Sequence, residues 1–155
     1  YKNSTDLAYE APMQYALDLN HKHVPEIMTQ AGLNHRPIFM PVVSNFERGL
    51  AVTIPVFRQA LKKNVTREEC ALILKDHYKD AHFVRVHEID DEEALVDKRM
   101  HIQMNNDSNY LDLFIYGNET QFQFIACLDN LGKGASGAAI QNMNIMLGIE
   151  ENTGL

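Results

Sequence analysis

Apolar residues in this chain recur with two spacings, three to four and two, and the switches between them predict the elements. Glu10 to Asp18 has apolar positions spaced for a short helix. "VPEIMTQAG" predicts a second one, with Pro25 in its first turn, Glu26 beside the positive helix end and Gly32 as a stop. "PIFMPVVS" and "GLAVTIPVF" are β-rich runs joined by a polar turn around Glu47 and Arg48, and Pro41 and Pro55 confine them to edge or bulged strands. Thr66 opens a capping box, T-R-E-E, whose reciprocal hydrogen bonds predict a helix from about Thr66 to Tyr78. "FVRVHEI" reads as a strand, and Leu95 to Met104 alternates loosely. "YLDLFIYGNETQFQFIACLDN" predicts a hairpin around Gly117 and Asn118 with facing aromatics. A last helix starts in the glycine-rich "NLGKGASG" and runs through "AAIQNMNIML" to Gly148, with Met143 and Met146 expected to face the core. Strands grouped with helices indicate an α+β fold, a mostly antiparallel or mixed sheet with helices packed on one face.

Composition narrows what such a fold can do. With 155 residues, 45% hydrophobic and 23% charged, and no repeat or linker, residues 1–155 read as one unit with its own core. A formal charge of -7 argues against nucleic acid or an anionic membrane surface as partner. No apolar run approaches the ~20 residues that cross a bilayer. Cys70 and Cys127, the only cysteines, have neither a C-x-x-C neighbour nor zinc spacing, which fits a reducing cytoplasm. The chain begins at Tyr1 without a methionine, so an excised piece of a longer protein is expected.

Three stretches carry candidate chemistry. In "NHKHVPEI", a period of two in an extended segment would point His21 and His23 to the same side, with Glu26 turning in from the helix. Proton transfer, a metal grip and a plain polar helix start are all compatible with this. A metal would need further ligands, which the other histidines do not offer at a suitable spacing, so no metal is expected. In "FERGLAVTI", Arg48 sits in a tight turn before Gly49, and its planar fork matches carboxylate or phosphate oxygens. In "LDNLGKGASGAAIQNMN", helix-start amides with Lys133 could hold a phosphate or the edge of a nucleotide, though a simple strand-to-helix turn explains the glycines equally well. The Walker pattern is not met, nor is G-x-G-x-x-G after a first strand.

Taken in order, these stretches resemble the catalytic half of the N-acetyl-gamma-glutamyl-phosphate reductase family, within the semialdehyde dehydrogenase superfamily. The likeness runs from about Ala16 to Leu155. The family's His-Arg-His-x-Pro-Glu-Ile appears as His21 to Ile27 with Lys22 replacing the arginine, its proline-led strand and Arg-Gly turn as Pro41 to Gly49, and its Asp-Asn-Leu-x-Lys-Gly-Ala-x-Gly-x-Ala-x-Gln-Asn-Met-Asn as Asp129 to Asn144. The resemblance implies a fold like the glyceraldehyde-3-phosphate dehydrogenase C-terminal domain. It also implies NADPH-dependent (NADP) reduction of N-acetyl-gamma-glutamyl phosphate through a cysteine thioester, in arginine biosynthesis, by a homo-oligomer, dimer or tetramer. On this reading His21, His23 and Glu26 are catalytic, with His21 favoured as the acid/base. Arg48 and Lys133 bind substrate, and Asn130, Gly132 and Gly134 lie toward the cofactor.

The family's Gly-Cys-Tyr nucleophile and its N-terminal Rossmann domain are not found in this sequence, and Cys70 and Cys127 lie in a helix and a strand rather than a turn. The expectation is a substrate-binding and dimer-forming domain that pairs with its own Rossmann domain and is inert alone, with the apolar face near Ile140, Met143 and Leu147 exposed or paired with another copy. Aspartate-semialdehyde dehydrogenase is the alternative within the superfamily. A stand-alone anion- or metal-binding module is the alternative outside it.

Overall fold

The computed structural model of the chain describes residues 7–155, which fall into two compact units divided between Glu47 and Arg48. The first opens with a 3₁₀ turn, Leu7–Glu10, followed by a short strand β1, Met13–Gln14. The helix expected over Glu10 to Asp18 does not form. Pro12 disfavours helical geometry in the residue before it, and Ala16 and Leu19 adopt left-handed backbone at φ 52° and 57°. Helix α1, His23–Ala31, does form, and Gly32 ends it in the left-handed region, where the Leu33 amide donates to the Met28 carbonyl. Of "PIFMPVVS" only β2, Val42–Val43, pairs, antiparallel to β1, since Pro37 and Pro41 bring no amide donor to a ladder.

The second unit is built on a four-stranded sheet. Its strands are β3, Leu50–Phe57, β4, Val84–Val86, β7, Leu111–Gly117, and β8, Gln121–Leu128, in the order β3-β8-β7-β4. β3, β8 and β7 run antiparallel, and β4 lies parallel to β7. The sheet is mixed, in an α+β fold. β3 is an edge strand, which explains how Pro55 is accommodated without an N–H. The β7–β8 hairpin turns at Asn118, whose Oδ1 accepts the amides of Thr120 and Gln121 at 3.0 and 3.1 Å. Its aromatics do not face one another across the pair: Phe114 lies opposite Ile125 and Tyr116 opposite Gln123. They meet along their own strands instead, Phe122 with Phe124 at 5.6 Å and Phe114 with Tyr116 at 6.0 Å.

Alternation divides the core between the two sheet faces. On one, Ile115, Phe122 and Phe124 pack against Ala71, Cys70 and Leu74 of helix α2, Arg67–Tyr78. Thr66 caps that helix as expected, its hydroxyl accepting the Glu69 amide at 3.1 Å while Glu69 accepts the Thr66 amide at 2.7 Å. On the other face, Phe114, Ile125 and Cys127 lie under Ala94, Met100 and Met104, from the β4–β7 connection. That connection includes a small hairpin, β5, Leu95–Val96, with β6, Arg99–Met100. It also covers a polar network: Arg85 grips both oxygens of the buried Asp112 at 2.5 and 2.8 Å, and the His87 ring stacks on Phe114. A hydrogen bond from His87 holds the Asp91 carboxyl below the usual range.

After β8 comes a π-helical turn, Gly132–Ser136, continuous with α3, Gly137–Leu147, which Gly148 stops in the left-handed region. Met143 and Met146 are exposed at 51% and 85%, contrary to the expectation that they face the core. The buried place goes to Asn144, whose amide donates to the carbonyls of Glu151 and Thr153 and so anchors the folded-back C-terminal segment. Leu147 is exposed as well, and Ile140 is half-buried.

Candidate functional site

In the first unit His21 and His23 meet, though by a different route from strand alternation. Lys22 is already helical and His23 is the first residue of α1. The His21 ring folds over the helix start, where its Nδ1 accepts the His23 amide at 3.1 Å. It thereby satisfies one of the orphan donors at the helix start. The two rings lie 4.6 Å apart at 70°. Phe39 touches both, with centroids 5.1 Å from His21 and 6.2 Å from His23, and Tyr15 lies 5.5 Å from His21. His21 is half-buried in this aromatic setting, while His23 is exposed.

This bond distinguishes the two histidines chemically. An Nδ1 that accepts a backbone N–H carries no proton, so neutral His21 has its proton on Nε2. Protonating His21 would place a second hydrogen against the His23 amide. The geometry therefore suits His21 to donate a fixed hydrogen bond from Nε2, and suits His23, free of that constraint, to exchange a proton. Glu26 stands three residues beyond His23 on the same helix side and is exposed. No hydrogen bond joins Glu26 to either ring among the described residues, so the His21 tautomer is set by backbone and not by a carboxylate. Among the described residues no group of three or more His, Cys, Asp or Glu is placed to hold a metal.

The second unit brings together Arg48, Asn130 and Gly132. Gly49 sits at φ +122°, and a side chain there would press on Gln103 and the Ile102 carbonyl at 3.0 Å. This tight turn presents the Gly49 amide to Asn130 Oδ1 at 2.8 Å, while Gln103 and Asn106 donate to the Arg48 carbonyl. Arg48 Nη1 donates to Asp107 Oδ1 at 2.6 Å and lies 3.4 Å from Asp129 Oδ2. Asp129 is the hub. It is 1% exposed and accepts the amides of Leu131, Gly132 and Asp107 at 2.8, 3.0 and 3.0 Å. Burial works to raise its pKa, but those three amides and the Arg48 charge outweigh it and hold the carboxyl below the usual range.

The glycine-rich turn thus satisfies itself. The Gly134 amide donates to the Asp129 carbonyl at 2.9 Å, and a side chain at Gly132 would crowd the Ser108 carbonyl at 3.1 Å. Gly137 has even less room, against Asn109 and the Gly132 backbone. The amides expected to face a dinucleotide at Gly132 and Gly134 are occupied within the turn, and Asn130 is used on Gly49. Lys133 donates to Gln141 at 2.6 Å with its ammonium 5.7 Å from the Phe83 ring, and burial lowers its pKa against the opposing pull of Glu151. Sequence reading missed Asp107, Asp129, Tyr15 and Phe39. Only Asp129 carried a signal, as an acidic residue two and three positions before amides at a helix entrance.

Neither cysteine is set up as a nucleophile. Cys127 is fully buried in β8, and burial, with Asp112 nearby, pushes its thiol up to about 11. Burial also raises Cys70, which faces the core side of α2.

Residues 2–130 match the semialdehyde dehydrogenase dimerisation domain. The chain belongs to that family. The match includes the His21–Glu26 and Arg48 stretches and ends before the π-helical turn and α3. Three curated relatives share the name N-acetyl-gamma-glutamyl-phosphate reductase. The Burkholderia cenocepacia protein is 44% identical over 140 residues, 88% of this chain and 44% of the relative. The Burkholderia ambifaria protein is 42% identical over 149 residues, 94% of this chain and 47% of the relative. The Brucella ovis protein is 38% identical over 149 residues, 95% of this chain and 47% of the relative. The chain therefore spans about half the length of the curated relatives it matches. Among the described residues no helix is long and apolar enough to cross a membrane.

Proposed function

We propose that this chain is the substrate-binding and dimer-forming part of an N-acetyl-gamma-glutamyl-phosphate reductase, which reduces the acyl phosphate to the semialdehyde in the cytoplasm with a nicotinamide cofactor. The observation that carries the reading is the likeness to proteins of that name, 38–44% identical over nearly the whole chain, together with a paired, polarised His21 and His23 in the matched segment. Reduction at an acyl carbon needs a proton handled as the tetrahedral adduct forms and collapses, and a cation to hold the substrate's anionic end. His23 fits the first role. His21, its Nδ1 fixed by the helix start, fits a hydrogen-bond donor to the developing oxyanion, which reverses the preference for His21 as the acid/base. Glu26 orients substrate beside His23. Arg48, in the second unit, is by itself suited to grip a carboxylate or phosphate.

At Asn130, Gly132 and Gly134, the residues expected toward the cofactor, Asn130 Oδ1 and the two glycine amides are bonded within the chain. The Asp129 carboxylate, which accepts the Leu131 and Gly132 amides, lies beside these residues. No hydride step is assigned to them. Nor is a covalent step assigned to Cys70 or Cys127, so the chain by itself is expected to be inactive.

The reading is tested by NADPH oxidation with the reductase that contains this chain, on N-acetyl-gamma-glutamyl phosphate and on aspartyl phosphate. Preference for the first supports it, whereas preference for the second moves the assignment to aspartate-semialdehyde dehydrogenase. Activity of the isolated chain on either substrate would contradict its assigned role.

A further inference from the structure

We propose that Asp107 is a built-in competitor on the anion grip, a carboxylate that an incoming oxyanion must displace from Arg48 while Asp129 keeps the guanidinium in place. This rests on the reading of Arg48 as the substrate grip and adds how that grip is regulated.

The two carboxylates on Arg48 differ in what holds them. Asp129 is 1% exposed, and three backbone amides fix it, so its position is part of the fold. The Asp107 side chain is 73% exposed and, in the ion-pair geometry, held by Arg48 at 2.6 Å. Its own amide donates to Asp129 Oδ2 at 3.0 Å, which pins its backbone in a left-handed conformation, φ +61°, while the carboxylate extends over the surface. One rotation about its Cα–Cβ bond withdraws it without disturbing the Asp129 hub. Asp107 and Asp129 both face the guanidinium, and an incoming anion is repelled by them until one leaves. Only Asp107 is placed to leave. Its exposed pair with Arg48 is weak enough to yield, and the vacated Nη1 then offers a charge-assisted hydrogen bond to a carboxylate or phosphate oxygen.

The test is an NMR titration of the intact chain with inorganic phosphate and, separately, with N-acetylglutamate as the carboxylate probe. Asp107→Asn is chosen because asparagine tolerates the left-handed backbone. It is expected to tighten binding about two- to fivefold, the range an exposed ion pair spans. Asp97→Asn, also exposed and in the β5–β6 turn, removes the same charge at another ion pair, with Arg99, and is expected to give no such gain. The gain should also vanish in an Arg48→Met background. A gain with phosphate alone, or with N-acetylglutamate alone, supports the proposal and identifies which end of the substrate is held. If Arg48→Met weakens binding but Asp107→Asn does not tighten it, the competitor is refuted and the grip stands. An equal gain from Asp97→Asn, or one that persists without Arg48, refutes the competitor too. If Arg48→Met changes nothing, the grip itself is wrong and the inference falls with it.

Discussion

Asp129→Asn should be among the more damaging isosteric changes available in the second unit. The carboxylate accepts two amides through Oδ1, from Leu131 and Gly132, and through Oδ2 it accepts the Asp107 amide and faces Arg48. An asparagine cannot serve both sides. With its oxygen toward Leu131 and Gly132, its NH₂ meets the Asp107 N–H and the Arg48 guanidinium, donor against donor, and the flipped rotamer moves the conflict to the other two amides. One hydrogen bond to a charged acceptor is lost and a buried donor is left unsatisfied, together about 2–4 kcal/mol. With a urea dependence of ~2 kcal/mol per molar, the midpoint should fall by about 1–2 M.

The pH dependence follows from the depressed pKa. A carboxyl lowered in the folded state contributes stability that is present above the unfolded value, about 3.9, and is lost as pH falls through the folded one. The gap between wild type and variant should therefore be full at neutral pH and narrow only below about pH 4. Urea unfolding followed by circular dichroism at both pH values measures it. A midpoint shift below ~0.3 M at neutral pH, or a gap that widens in acid, would refute the hub.

Two other changes test separate parts of the account. Thr66→Ala removes one arm of the capping box and should cost about 1 kcal/mol, a drop of ~2–4 °C in Tm by calorimetry, with Thr66→Ser recovering most of it. Cys127, fully buried with its thiol pushed up to about 11, should resist alkylation in the native chain at neutral pH and react only as denaturant is added, which mass spectrometry of the labelled peptides reports.

What the sequence made legible was what short-range chemistry determines. The α2 start follows from Thr66 and Glu69, the stops of α1 and α3 from Gly32 and Gly148, and the β7–β8 hairpin from two β-rich arms around a Gly-Asn turn. The parallel pairing of β4 with β7 was not legible, because it depends on a connection of 24 residues (87–110) folding over one face of the sheet. Periodicity misled at Glu10 to Asp18, where Pro12 and left-handed residues override the spacing of apolar positions. It misled again at Met143 and Met146, where the demand of returning backbone carbonyls for a donor put Asn144 inside. At the site, residue types were readable and relations were not. His21 and His23 stood out, but the hydrogen bond that makes them unequal comes from a helix beginning one residue earlier than an extended reading allows. Arg48 stood out too, while the carboxylates that hold it are 59 and 81 positions away.

The division of labour between those histidines is tested most directly by the pH profiles of kcat and kcat/KM for His23→Asn and His21→Asn in the reductase that contains this chain. Loss of a proton-transferring histidine should lower both parameters together by roughly 10²–10⁴-fold and remove a titrating limb from the profile. The account predicts that result for His23→Asn. For His21→Asn it predicts a fall in rate with the limb retained, since a fixed Nε2–H donor transfers no proton in the step. A His23→Asn enzyme with near-normal kcat across the pH range would contradict the account, leaving "NHKHVPEI" as no more than the entrance to a helix.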